Sequence, residues 1–233
     1  RDRVLVTLFS QTTATWSNPV VLPGSLSGVR DANRGAPAVA FDSESQPLVV
    51  WKRGVDLVAN RFDAVQGTWA GYVKIASLGD QTSLEAPAVA FDGETFVVAY
   101  TSLQGKAATV NVVSYDQVAE SWGTPTPMHA ADAKVTARMA RMTADAHGNR
   151  LVVWPFLASN GVDSLKYQRF DAAVGEWLGA KTLPEVTLSR AEFLPGYADW
   201  ALGGAPNGLA AVTFADSPDS SDSPKNLRLA SFY

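Results

Sequence analysis

Four tryptophans, Trp16, Trp69, Trp122 and Trp177, stand 53, 53 and 55 residues apart. An interval that regular means one structural unit repeated along the chain, and a repeat restricts the fold more than any local propensity does. Each Trp follows a short polar stretch such as Gln66-Gly67-Thr68 or Gly175-Glu176. Six residues before each Trp an apolar segment ends, in the pairs Phe9-Ser10, Phe62-Asp63, Tyr115-Asp116 and Phe170-Asp171, and Phe232-Tyr233 repeats the pattern. Between successive Trp residues lie two further landmarks. The first copy is Pro37-Ala-Val-Ala-Phe-Asp42 followed by Leu48-Val-Val-Trp51, and the second is Pro87-Ala-Val-Ala-Phe-Asp92 with Val97-Val-Ala-Tyr100. The third is Arg141-Met-Thr-Ala-Asp145 with Leu151-Val-Val-Trp154, and a degraded fourth runs through Leu209-Ala-Ala-Val-Thr-Phe214.

Each unit therefore carries four short apolar segments rich in Val, Phe, Tyr and Trp and separated by turn residues, the pattern of strands. Val39 and Phe41 alternate with Ala38 and Ala40, as in sheets covered on both faces. Asp42, Asp92 and Asp145 open the turns between the second and third landmarks, where a carboxylate accepts backbone N–H bonds. No segment holds a 3.6-residue period, and Pro19, Pro47, Pro125, Pro155 and Pro184 interrupt any helix. The fold class expected is all-β.

Four-stranded units at this period, none able to bury both faces alone, predict a β-propeller of four-stranded blades, ahead of a stacked solenoid. Counting from each Trp gives one domain, 1–233, with four full blades near 16–63, 69–116, 122–171 and 177–233 and an extra strand at 3–9. The Phe9 and Phe232 strands then claim equivalent places. That favours a piece of a larger ring, or a ring completed by a second copy of the chain, over an irregular fifth blade. The motifs resemble the repeats of secreted bacterial propeller-like proteins, which read Pro-x-Val-Ala-x-Asp-x-x-Gly-x-x-x-x-Val-Trp, then an aromatic-Asp pair, then Gly-x-Trp. The resemblance spans nearly the whole chain, and its motifs specify a blade rather than an activity. It implies a secreted, periplasmic or cell-surface setting in a bacterium.

The 233 residues carry a net charge of −4, with Lys and Arg scattered, so no electrostatic field gathers phosphate backbones and nucleic acid is not an expected partner. No apolar run approaches the ~18 residues of a membrane span, and Arg1–Leu8 lacks the features of a signal peptide. With no Cys and only His129 and His147 as histidines, eighteen residues apart, neither a metal site nor another cofactor is expected.

The periodic Trp residues are candidates for sugar stacking, although packing between blades explains them better. Trp51, Tyr100 and Trp154, in the middle of apolar strands, read as core. Six recurring Asp residues read as turn formers. Departures from the repeat say more about function, because the fold does not require them. Where the pattern asks for Pro-x-Val-Ala-Phe-Asp, the fourth unit has Glu192-Phe-Leu-Pro-Gly-Tyr-Ala-Asp-Trp200 followed by Gly203-Gly204. Tyr197, Asp199 and Trp200 bring a phenol, a carboxylate and an indole close together, a mixture suited to a carbohydrate or a peptide. In the third unit Arg138 and Arg141 replace small residues or Pro near a strand start and offer anion donors. These five form the expected ligand site. The function expected is a non-enzymatic, lectin-like propeller that binds a glycan. Its alternatives are a scaffold that binds another protein and a glycoside-active enzyme with channel-facing carboxylates.

Overall fold

Antiparallel ladders built on the repeat account for the architecture. The structure, a computed structural model, describes residues 3–25, 36–77, 86–104, 107–129, 135–137, 139–158, 163–183, 200–216 and 226–232. Among them there is no helix, and hence none long and apolar enough to cross a membrane. Sheet I is a hairpin in which β1 (Leu5–Val6) pairs with β4 (Val20–Val21) and β2 (Phe9–Ser10) with β3 (Thr15–Trp16). Sheet II runs from β5 (Ala38–Phe41) through β6 (Pro47–Arg53) and β7 (Asp56–Asp63) to an outer lane shared by β8 (Thr68–Trp69) and β9 (Val73–Ser77). Sheet III repeats this with β10 (Ala88–Phe91), β11 (Phe96–Gln104), β12 (Ala107–Asp116), and β13 (Ser121–Trp122) with β14 (Thr126–Pro127). In sheet IV the first lane is split into β15 (Val135–Ala137) and β16 (Arg141–Ala144), interrupted by Met139 at φ 48°. Both pair with β17 (Arg150–Ala158), followed by β18 (Asp163–Asp171), β19 (Glu176–Trp177) and β20 (Lys181–Thr182). Sheet V holds β21 (Trp200–Gly204), β22 (Ala210–Asp216) and β23 (Asn226–Phe232).

These sheets are phased differently from units counted from Trp. Each Trp closes the sheet that precedes it: Trp16 pairs with Phe9, Trp69 with Phe62, Trp122 with Tyr115 and Trp177 with Phe170. The reason is local. A carboxylate-capped turn joins the two members of each later pair, with Asp63 Oδ1 accepting from the N–H groups of Val65 and Gln66, and Asp116 Oδ1 from those of Val118 and Ala119. Ranges such as 16–63 therefore cut across sheets. The strand at 3–9 belongs to a hairpin with the Trp16 strand, so among the described residues three four-lane sheets stand between a two-lane and a three-lane one.

First strands pack side by side, β5 against β10, β10 against β16 and β16 against β21, so the sheets fan outward from a shared inner edge. Strand alternation supplies each sheet with two apolar faces. In sheet II, Val49, Trp51 and Val58 face sheet I and meet Val4, Val6 and Leu22. Leu48, Val50, Leu57 and Ala59 point the other way and meet Phe96, Val98, Tyr100 and Val113 of sheet III. Val97, Ala99, Val110 and Val112 then face Met142, Val152 and Trp154 of sheet IV, and Leu151, Val153 and Leu165 face Trp200, Ala210 and Val212 of sheet V. Trp51, Tyr100 and Trp154 are core, as expected, and burial pushes the Tyr100 phenol up to about 12.

The recurring Trp residues also serve packing. Each meets its paired aromatic with ring centroids 5.2–5.4 Å apart. Trp69, Trp122 and Trp177 then lean on the cluster shared with the preceding sheet. Trp16 has no described sheet before it and is 66% exposed. The contrast is measurable by urea unfolding. Trp122→Ala is expected to cost about 2–3 kcal/mol, short of the ~3–5 of a fully buried ring. Trp16→Ala should change stability by less than about 0.5 kcal/mol.

Candidate functional site

The four inter-sheet seams are not filled alike. Facing positions at the turn end of the first and second lanes point back at the preceding sheet in each repeat, and the strand registers align them: Phe91 with Phe96, Ala144 with Arg150, and Gly204 with Ala210. Between sheets II and III the two phenylalanines plug the seam, edge to face at 5.2 Å. Between III and IV the Arg150 side chain replaces them. Its guanidinium bonds Asp92 Oδ2 at 2.7 and 2.9 Å and the Ser114 hydroxyl at 3.0 Å, and lies 4.5 Å from the Phe170 ring centroid. Between IV and V neither Gly204 nor Ala210 has a side chain able to fill the space, and a cavity of about 730 Å³ opens.

Gly204 cannot be exchanged for a larger residue, since a Cβ there would stand 2.0 Å from Thr143 Oγ1. The inner strands thus touch while the cleft opens outward from them. One wall is the sheet V-facing side of sheet IV: Tyr167 and Arg169 on β18, then Leu178, Gly179 and Lys181. Ladder positions matching Tyr167 and Lys181 hold Ala59 and Val73 in sheet II, and Val112 and Thr126 in sheet III. The other wall comes from two turns, Asp145–Asn149 of sheet IV and Ala205–Leu209 of sheet V.

Asp145 organises the turn wall. Its Oδ1 accepts from the N–H groups of His147 and Asn149 at 2.8 and 2.9 Å, and its Oδ2 from the Asn149 amide at 2.8 Å. Burial alone would raise its pKa; hydrogen bonds from the Asn149 side chain and from the backbone of His147 and Asn149, with the His147 charge, outweigh that and hold it below the ordinary 3.8. On the opposite wall Arg169 donates to Asp171 Oδ2 at 3.0 Å, while Lys181 is exposed and has no ion-pair partner among the described residues.

Of the site expected from sequence, Arg141 and Trp200 come together, the guanidinium carbon 5.9 Å from the indole centroid. Both lie at the starting ends of the inner strands, away from the cleft. Trp200 is only 5% exposed and belongs to the core cluster of sheets IV and V, so its face is not open to a sugar. Arg138, Tyr197 and Asp199 lie outside the described residues. The cleft residues Tyr167, Arg169, Lys181 and Ala210 were missed. A signal for them existed, because Gly203-Gly204-Ala205 stands where Ala90-Phe91-Asp92 stands two units earlier.

Comparison with known proteins finds structural likeness only. Neither a protein-family model nor a curated protein matches the chain. Among solved structures, polysaccharide lyase Uly1 superposes with a TM-score of 0.62 at 11% identity over 99% of this chain and 67% of its own. Penicillium chrysogenum α-L-arabinanase, complexed with arabinobiose, gives 0.57 at 14% identity over 99% and 68%. Hadza microbial sialidase Hz136 gives 0.53 at 12% identity over 85% and 44%. The fold is a β-propeller. The chain spans 44–68% of the length of these propellers, and at such identities the likeness concerns architecture alone.

The Asp145 geometry sets a pH dependence. A carboxyl whose folded pKa is depressed stabilises the propeller fully above the ordinary aspartate value of 3.8 and loses that contribution as pH falls through the lower folded value. Asp145→Asn should lower stability at neutral pH and flatten the acid limb of a stability-against-pH curve. An unchanged acid limb would show that Asp145 is not held ionised by its turn.

Proposed function

We propose that the chain is a carbohydrate-binding propeller that seats a glycan in the cleft between sheets IV and V. The observation that carries this reading is the missing plug: a seam closed by Phe91 and Phe96 elsewhere in the same molecule is here an open cavity lined by both apolar and polar groups. Its volume lies within the ~300–1,000 Å³ of small-ligand sites. Its lining alternates surfaces that suit a sugar. Leu178, Leu209 and the Tyr167 ring offer apolar contact for C–H faces, while Asp145, Asn149, Asn207 and Lys181 offer acceptors and donors for hydroxyl groups. The propellers named above are called a lyase, an arabinanase and a sialidase, all names that refer to carbohydrate, which supports the same ligand class.

Binding is favoured over glycoside cleavage because, among the described residues, the cleft lining contains one carboxylate, Asp145, and glycosidases as a rule place two across the scissile bond. Asp145 is also committed to three hydrogen bonds and held ionised, a poor general acid. A glycan ligand fits a secreted, periplasmic or cell-surface bacterial protein.

Restoring the plug tests the reading. Ala210→Phe places at this seam the residue that Phe96 supplies two sheets earlier. On a glycan array backed by calorimetry, wild-type protein is expected to retain oligosaccharides and Ala210→Phe to lose at least tenfold in affinity, with a melting temperature equal to or above wild type. An array silent for the wild type, or unchanged binding by the plugged variant, would overturn the assignment. A protein captured instead at this cleft would favour the scaffold alternative.

A further inference from the structure

The cleft distributes its polar groups unequally. On the sheet IV wall they are donors: the Arg169 guanidinium and the Lys181 ammonium, beside the Tyr167 hydroxyl. On the turn wall stand the Asp145 carboxylate and the Asn149 and Asn207 amides. A ligand matching both walls presents negative charge to one and hydroxyl hydrogens to the other.

Three other basic side chains of the sheets are paired with acids. Arg61 pairs with Asp42 at 2.6 Å, Lys74 with Asp56 at 2.7 Å and Arg150 with Asp92 at 2.7 Å. Lys74 and Lys181 both lie in outer lanes beside the third strand of their sheets. The ladder sets Lys74 against Val58 with Asp56 near enough to pair, and sets Lys181 against Tyr167. Lys181 therefore lines the cavity with no acid paired to it among the described residues. Arg169 is only partly committed, because its bond to Asp171 is a single contact from a side chain 45% exposed, and such pairs contribute little. Two cations lining a cavity whose only carboxylate among the described residues sits on the opposite wall leave one side of the cleft electropositive.

We infer that the ligand of this cleft is an anionic sugar, a glycan bearing a carboxylate or sulfate group that lies against Lys181 and Arg169 while its ring hydroxyls donate to Asp145 and the two asparagines. This rests on the glycan-binding reading and specifies it. Carboxylate and sulfate share the recognising chemistry, a compact anion with several acceptor oxygens. A neutral sugar would leave the ammonium of Lys181 facing the cavity without compensation.

The test compares four probes on the full chain by titration calorimetry: oligogalacturonate, its methyl ester, a sulfated galactan oligosaccharide and a neutral galactan oligosaccharide. At low salt the acid, the sulfate ester or both should bind at least tenfold tighter than their neutral counterparts, and 0.5 M NaCl should remove most of that advantage. Preference for the acid alone names uronates, and preference for the sulfate alone names sulfated sugars. Lys181→Gln, at an exposed position, should abolish the preference for charged over neutral probes, and Lys181→Arg should restore it. Equal affinity for charged and neutral probes, or a Lys181→Gln variant that keeps the preference, overturns the inference. If Ala210→Phe still blocks those probes, glycan binding stands without it. If wild type binds none of the four, both readings fall together.

Discussion

Face-to-face contact between neighbouring sheets carries this structure, because no sheet has an interior of its own. A four-lane sheet is one residue thick, and every second side chain of β6, β11 and β17 must find cover on one side while its neighbours find it on the other. Val49 and Val50, adjacent in sequence, belong to different clusters for this reason. Stability thus accumulates seam by seam, roughly as a sum of nearest-neighbour terms. Where a described neighbour is narrow, the cover ends: Leu5, Phe9, Trp16 and Val20 are exposed on sheet I, and so are Val39 and Phe41 on the inner strand of sheet II. Their counterparts Val89 and Phe91 pack into the seam with sheet II.

The Asp residues of the repeat act as hinges of this construction rather than as chemistry. Asp42, Asp92 and Asp145 each spend Oδ1 on two backbone N–H groups of a tight turn, which leaves Oδ2 for a second task. That second task differs from seam to seam. Asp42 takes Arg61 of its own sheet, Asp92 takes Arg150 of the next, and Asp145 takes its own Asn149 at the edge of the open cleft. One repeated turn former has become, in turn, an internal brace, an inter-sheet clasp and part of a cavity wall.

The fold was legible in the sequence because a blade writes itself in strong, local and repeated signals: aromatic-Asp pairs, Asp-led turns and two-residue alternation. Phasing was less so. A Trp at the end of one sheet and a Trp at the start of the next give the same period, and only the pairing of Trp69 with Phe62 separates them. The expected ligand site drew on real departures from the repeat, and it did bring Arg141 to Trp200. Yet polarity along the chain does not report which ring face is covered, and Trp200, expected in the ligand site, is buried in the core. The cleft itself is written as an omission. Gly204 and Ala210 are unremarkable residues until they are set beside Phe91 and Phe96, and which strand positions face each other across a seam follows from register, not from sequence spacing.

An omission of that kind has an energetic meaning. Burying a Phe side chain stabilises a protein by about 1.5–3 kcal/mol, so even the one that position 210 could carry would be a sizeable part of the ~5–15 kcal/mol by which folded proteins are stable. The seams pass from a full aromatic plug, through a single ion-paired Arg150, to an empty space lined by Tyr167, Arg169 and Lys181. Drift of a terminal sheet explains small residues on sheet V, but it does not explain polar residues on the sheet IV wall opposite. That wall belongs to a complete four-lane sheet whose other face, with Met142, Val152 and Trp154, keeps the apolar pattern of the repeat. Both sides of this seam depart from the repeat, one in volume and the other in donors, and the ligand proposed above would account for both departures.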